Sequence, residues 1–223
     1  MTEAEWLACE DPQRMLEFLR GKASERKLRL FLVATARSVG DKIDREDMRQ
    51  AVEAGERHAD GLITDEELHR HSSAMYGYFT DPTPEMREWF AGISRGSRER
   101  LATFKLAHSC VFTQRGLMTI MTLNAYRDGL VLTRQYQPSL LRDIFGNPFR
   151  PATIDPAWLA CNNGTVVNLA KTIYEDRRWE LMPILGDALE DALCDNADIL
   201  EHCRGPGPHV RGCWVVDLIL GKE

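Results

Sequence analysis

The C-terminal end of the sequence gathers side chains of the types that bind metals. Zinc in proteins usually takes four cysteine, histidine or carboxylate ligands in a tetrahedron. Two candidates precede a Gly-Pro-Gly-Pro turn, and two follow it at i, i+4 spacing, which is one face of a helix. The turn could bring the pairs together, which makes zinc one hypothesis. The candidate ligands are Cys194, His202, Cys203, His209 and Cys213.

The same spacing also fits a tight corner between two helices. Adjacent His202 and Cys203 are not a usual chelating pair, and no Cys-x-x-Cys motif is present. A free cysteine packs well as a small apolar residue, and His209 would then lie near a helix start. On this interpretation the cysteines fill the core and the protein needs no cofactor, which is the default expectation.

An anion site is a second hypothesis for this corner, the segment GPGPHVRGC. Its two glycines let backbone amides converge, and we predict that a helix begins at Pro208. Arginines near a helix start bind phosphate or carboxylate groups well. Alternatively, the prolines and glycines make a rigid corner and the arginines pair with nearby acidic residues. The candidate anion ligands are Arg204, Gly205, Gly207, His209 and Arg211.

The absence of known motifs argues against several common classes of enzyme and metal-binding protein. The sequence contains no phosphate-binding loop, no dinucleotide-binding fingerprint and no HExxH motif. Residues 56–67 match a calcium-binding loop at Gly61 and Glu67, but Glu56 and His58 stand where short oxygen ligands belong. We therefore expect no calcium site, and no set of residues indicates catalysis.

Helix-start signals define the elements that must position these residues. Thr2 with Glu5 and Thr64 with Glu67 form capping boxes, and Pro12 follows the N-cap residue Asp11. No sustained alternation of apolar and polar residues predicts strands, so the expected fold is all-α, a multi-helix bundle or irregular helical array. Residues 129–133 are ambiguous between a short strand and a helix start. Late helices are predicted over 165–179, 183–193, 196–203 and 209–220.

Four prolines between residues 138 and 156 predict where the chain divides. Proline fixes its backbone angle and interrupts helices, so we expect an ordered, extended connection over 138–156. It would join an N-terminal helical region, 1–137, to a C-terminal helical region, 157–223, unless the two form one continuous domain.

Composition and charge narrow the class of protein. Of the 223 residues, 43% are hydrophobic and 28% are charged, which is typical of soluble globular chains rather than disordered or membrane-spanning ones. No signal-peptide pattern is readable, so we expect a cytoplasmic protein that does not enter membranes. The net charge is −6 overall, but residues 92–150 carry about +6. That basic stretch could bind nucleic acid, although packing beside acidic segments is the favoured explanation.

Three long segments resemble a large paralogous family of uncharacterised planctomycete proteins. They are MTEAEWLACEDPQRMLEFLRGKASERKLRLF, LRDIFGNPFRPATIDPAW and LMPILGDALEDALCDNADILEHCRGPGPHVRGCWVVDLILGKE. The resemblance covers residues 1–32, 140–160 and 165–223. The resemblance implies no activity, cofactor or catalytic residue. In the closing segment it draws attention to Cys213, to Trp214 and to the five anion candidates named above.

The predicted function is a non-enzymatic helical module that binds another macromolecule, expected to be a protein, in the cytoplasm. The helical signals, the five tryptophans expected to anchor the core and the lack of a catalytic motif favour it. An anion or metal site at the GPGPHVRGC corner, with or without enzymatic activity, is the first alternative. Nucleic-acid binding through residues 92–150 is the second.

Overall fold

The computed structural model describes residues 1–94, 98–111 and 135–222. Over these residues the regular structure is helical throughout and contains no strand, which confirms the all-α prediction. In the same residues, no helix combines the length and apolarity that crossing a bilayer requires. The α-helices are α1 (Glu3–Ala8), α2 (Pro12–Leu19), α3 (Glu25–Ser38), α4 (Glu46–Ala59), α5 (Asp65–Thr80), α6 (Pro84–Ser94), α7 (Arg98–Cys110), α8 (Gln137–Phe145), α9 (Pro156–Ala160), α10 (Thr165–Asp176), α11 (Met182–Asp191), α12 (Ala197–Arg204) and α13 (Trp214–Leu220).

The predicted capping signals begin their helices as expected. The Thr2 hydroxyl accepts a hydrogen bond from the Glu5 backbone N–H, and the Glu5 carboxylate accepts one from Thr2 N–H at 2.7 Å. Thr64 and Glu67 make the same reciprocal pair at the start of α5. Each pair satisfies two backbone donors that a helix N-terminus otherwise leaves unbonded, so these helix starts are locally encoded.

The last helix begins six residues later than predicted. It starts at Trp214 rather than Pro208, and residues 205–213 form a loop. Gly212, inside the predicted helix, has a φ value of 97°, which lies outside the right-handed helix and interrupts it there. The prediction that His209 and Cys213 share one helix face is therefore wrong. Helices α10, α11 and α12 begin within one residue of their predicted starts.

The chain forms two compact units, and their boundaries differ from the expected regions. The terminal unit comprises Met1–Cys9 and Ser139–Glu223, and the central unit comprises Glu10–Pro138. The proline-rich stretch expected to be an extended connection contains most of α8, and from Ser139 onward it belongs to the terminal unit. Helix α1 joins that unit because Trp6 is fully buried and its indole Nε1 donates to the Gly146 carbonyl at 3.0 Å.

In the central unit, α4 packs against α3, α5 and α7. The close approach of α4 to α7 depends on Gly55, where a Cβ would lie 2.5 Å from the Cys110 carbonyl oxygen. That carbonyl also accepts a 2.7 Å hydrogen bond from the buried Arg29 guanidinium. Residues 129–133, ambiguous in sequence, lie outside the described residues, as does much of the basic stretch 92–150.

In the terminal unit, α10 to α13 enclose a hydrophobic cluster. Helix α10 packs against α11 and α13, and α12 packs against α11 and α13. The cluster includes Cys194, Cys203 and Cys213, each buried. Trp158, Trp179 and Trp214 pack against this cluster but are only half-buried. These three of the five tryptophans expected to anchor the core are therefore less buried than Trp6. The loop 205–213 connects α12 to α13 beside this cluster.

Candidate metal centre

Four side chains from separate segments of the terminal unit meet beside this loop. Asp143 comes from α8, His202 from α12, His209 from the loop and Cys213 from the residue before α13. One ligand atom from each lies within 4.8 Å of the others. We call these four residues the Asp-His-His-Cys cluster.

Asp143 is the centre of this cluster. It is 3% exposed, and its neighbours Leu141 and Ile144 in α8 are also buried. A buried carboxylate is costly unless it is hydrogen-bonded, and its oxygens have three close contacts. Oδ1 lies 3.0 Å from His209 Nδ1 and 3.2 Å from His202 Nε2, while Oδ2 accepts from the Val210 backbone N–H at 3.0 Å. Asp143 therefore holds the loop against α8.

Two neighbours define the proton arrangement of His202. Its Nδ1 lies 3.1 Å from the indole Nε1 of Trp214, which can only donate, so Nδ1 accepts. A neutral imidazole then carries its proton on Nε2, which lies 3.1 Å from Cys213 Sγ as well as close to Asp143. In the absence of a cation, His202 thus donates toward Asp143 and Cys213.

The thiol of Cys213 is shielded from water. Burial raises its pKa well above the ordinary value, and the negative charge of Asp143 raises it further. Without a compensating cation the side chain is therefore a neutral thiol. A divalent ion would supply that compensation, because metal ligation replaces the thiol proton.

His209 presents a ring nitrogen with no partner. Its side chain is 8% exposed, and Nδ1 faces Asp143. The other nitrogen, Nε2, is buried and has no hydrogen-bond partner among the described residues. His209 lines a pocket of about 210 Å³, together with Ser139, Arg142, Asp143, His202 and residues 205–208.

The structure brings together three of the five metal candidates that the sequence suggested. His202, His209 and Cys213 belong to the Asp-His-His-Cys cluster. Cys194 and Cys203 lie only in the hydrophobic cluster, which Cys213 also joins. Burial raises the pKa of Cys203 to about 12, which favours the neutral thiol of a core residue.

Asp143 is not among the candidates that the sequence suggested. The available signal was a single acidic residue among the apolar positions of α8, with Leu140, Leu141 and Ile144 beside it. A carboxylate in such a position has to find polar partners from elsewhere in the fold.

The two arginines of the anion hypothesis have partners elsewhere. The Arg204 guanidinium donates to Asp187 at 2.8 Å and to Glu190 at 2.6 Å. Arg211 donates to the Tyr174 carbonyl at 3.0 Å. The helix start that the hypothesis placed at Pro208 is absent from this part of the structure, as described above. Of the candidate anion ligands, Gly205, Gly207 and His209 line the pocket. The arginine that lines this pocket is Arg142, which was not a candidate.

No family model, curated protein or solved structure matches this chain. The planctomycete resemblance stays a prediction, and function has to be argued from the geometry of the site.

That geometry fits a tetrahedral ion. With bonds of about 2.0–2.3 Å, the ligand atoms around zinc lie about 3.3–3.8 Å apart. Three hydrogen-bonded pairs of the cluster are 3.0–3.2 Å apart and the remaining pairs lie within 4.8 Å. To admit an ion, the hydrogen-bonded pairs would move apart by a few tenths of an ångström and the widest pairs would move closer, by up to about 1 Å.

Proposed function

We propose that this protein binds one zinc ion through Asp143, His202, His209 and Cys213. The observation that carries the proposal is the convergence of four zinc-type donors, from separate segments, within 4.8 Å. Thiolate and imidazole ligands in a tetrahedral arrangement favour zinc over calcium or magnesium, which prefer oxygen.

Charge also supports a divalent ion. Asp143 and a deprotonated Cys213 supply two negative charges, and the histidines are neutral when they ligate a metal. Zinc would therefore make the buried cluster electrically neutral. The ring nitrogens that face the other ligands are Nε2 of His202 and Nδ1 of His209.

The ion would fasten the loop 205–213 to α8 and α12. Four protein ligands are typical of a structural zinc site, which contributes directly to folding free energy. On this proposal the main role of zinc is to stabilise the terminal unit. Asp143 already holds the same loop through Val210, so the two contributions act on one element.

The test is the metal content of the purified full-length chain, measured by mass spectrometry of the elements. We expect one zinc per chain, and Cys213→Ala should reduce this to near zero. Cys203→Ala is the matched control, since Cys203 is an equally buried cysteine of the hydrophobic cluster, and it should retain zinc.

Cobalt substitution provides a second readout. A thiolate-to-cobalt charge-transfer band should appear in the native chain and in Cys203→Ala, but not in Cys213→Ala. A native chain that contains no zinc and binds none on addition would refute the proposal. The Asp-His-His-Cys cluster would then be only a hydrogen-bonded network that fixes the loop.

The two macromolecular hypotheses stay predictions beside this one. A protein partner in the cytoplasm should be recovered by pull-down from the native host, and recovery of none above background would count against it. Nucleic-acid binding should give salt-sensitive retention on DNA or RNA. Flow-through at low salt would exclude that hypothesis.

A further inference from the structure

The last turn of α8 carries Asp143 and also the points at which α1 attaches. The Gly146 backbone N–H donates to the Arg142 carbonyl at 2.9 Å, which closes this turn around Asp143. The Trp6 indole of α1 donates to the Gly146 carbonyl at 3.0 Å. In the other direction, Arg142 Nη2 donates to the carbonyls of Trp6 and Cys9, at 3.3 and 2.5 Å. Helix α1 is therefore bonded to residues that precede and follow Asp143.

These attachments are shielded and partly charge-assisted. Trp6 is fully buried, Gly146 is buried and Arg142 is half-buried. The last carbonyls of a helix have no partner within it, and Arg142 supplies a donor to them at the end of α1. Hydrogen bonds from an ionised donor are stronger than neutral ones, so α1 restrains this turn of α8.

We propose that α1 is a positioning element of the zinc site, in which Trp6 and Arg142 hold Asp143 where the ion requires it. This role rests on the proposed zinc site. None of the four proposed ligands lies in α1, so its effect passes through α8. A carboxylate that is already fixed loses less freedom when it ligates an ion, which increases affinity. Coupling between two sites is reciprocal, so bound zinc should in turn strengthen the docking of α1.

The first test is the zinc affinity of full-length variants, measured by competition with a chromophoric chelator while circular dichroism shows the zinc-free chain to be folded. Arg142→Met removes the guanidinium donors, and Trp6→Phe removes the indole donor but keeps an aromatic ring. We expect zinc binding to weaken about 5- to 10-fold in Arg142→Met and about 2- to 5-fold in Trp6→Phe. A residue that only stabilises the folded chain would not change the affinity of that folded chain for zinc.

The direction of the Arg142→Met effect separates positioning from electrostatics. Removing a positive charge next to Asp143 in the sequence would by itself favour the binding of a cation. Weaker zinc binding therefore has to come from lost positioning. Unchanged or tighter binding in both variants overturns the inference.

Arg29→Met is the matched control. Arg29 is a buried arginine that also donates to a backbone carbonyl, that of Cys110, but it belongs to the central unit. Its substitution should leave zinc affinity unchanged, as should Leu7→Ala on α1, because Leu7 is 50% exposed. A loss in Arg29→Met as large as that in Arg142→Met would contradict a specific role of α1.

Hydrogen exchange of the native sequence tests the coupling without a substitution, in case Arg142→Met fails to fold. We expect zinc to slow exchange of the α1 amides by about 5- to 10-fold, and further excess zinc to have no additional effect. Such a limit is characteristic of a helix that undocks while the ion stays bound. Exchange through unfolding would keep slowing as zinc increases. Exchange in α1 that ignores zinc, or that slows without a limit, overturns the inference.

Failure of this inference is distinguishable from failure of the zinc site. A chain that binds zinc with equal affinity in the native form, Trp6→Phe and Arg142→Met overturns the role of α1 alone. A native chain that takes up no zinc overturns the proposed zinc site, and the role of α1 with it.

Discussion

The indole Nε1 of Trp214 lies 3.1 Å from Nδ1 of His202, so this histidine is held in the tautomer that carries its proton on Nε2. Zinc ligation through Nε2 requires that proton to leave and Nδ1 to carry one instead. The Trp214 hydrogen bond and the proposed zinc ion would therefore compete for His202, so Trp214 would weaken rather than support metal binding.

Trp214→Phe should consequently bind zinc more tightly. Removing a net hydrogen-bond contribution of about 1 kcal/mol predicts about five-fold higher affinity. Competition with a chromophoric chelator would measure it. Trp179→Phe, at another half-buried tryptophan packed on the hydrophobic cluster, should leave the affinity unchanged. Weaker zinc binding by Trp214→Phe would show that the indole supports the bound state.

The place of α1 in the terminal unit predicts a large effect of Trp6→Ala. Trp6 is fully buried and bonded to Gly146, and truncating such a side chain costs about 3–5 kcal/mol of unfolding free energy. Leu7→Ala on the same helix should change it by less than about 0.5 kcal/mol, because Leu7 is 50% exposed. Denaturant unfolding measures the free energy of unfolding of both variants. If Trp6→Ala had as small an effect as Leu7→Ala, the assignment of α1 to the terminal unit would be contradicted.

Alanine substitution at two helix glycines should change the free energy of unfolding in opposite directions. At Gly55 a Cβ would lie 2.5 Å from the backbone oxygen of Cys110, so Gly55→Ala should destabilise the central unit by at least about 1–3 kcal/mol. For Gly77, inside α5, no described atom lies within 4 Å of the Cβ position. Gly77→Ala should stabilise by about 0.5–1 kcal/mol, because alanine loses less backbone entropy in a helix. Thermal unfolding of the two variants checks the signs.

The cysteines should differ in reactivity toward iodoacetamide. The thiolate is the reacting species, and burial raises the pKa of Cys110 to about 12. Because the raised pKa delays deprotonation, increasing the pH from about 7 to about 9 should leave Cys110 unmodified in the native chain. Cys161, the one cysteine that is not buried, should react first.

Mass spectrometry of peptides locates the modified cysteines. Denatured protein is the control, and there all six cysteines should react. Rapid native modification of Cys110 would show that α7 opens readily from the central unit.

Much of the fold was predictable because its signals are local. The capping boxes at Thr2 and Thr64 involve residues three positions apart, and they mark helix starts whatever the rest of the chain does. The sequence predicts that a helix begins at Pro208. The observed loop extends to residue 213, with Gly207 and Gly212 at positive φ values outside the right-handed helix.

The candidate site was only half predictable. Local sequence nominated His202, His209 and Cys213 by residue type, but their spacing was equally compatible with Cys194 and Cys203. Side-chain neighbours, not burial, separated the two groups, because Cys213 is as buried as Cys203 but its Sγ lies 3.1 Å from His202 Nε2. Asp143 lies 66 residues from His209 along the chain, and only tertiary packing of α8 against the loop makes them neighbours. The sequence alone thus determined the helices and the donor types, while the tertiary structure decided which donors meet.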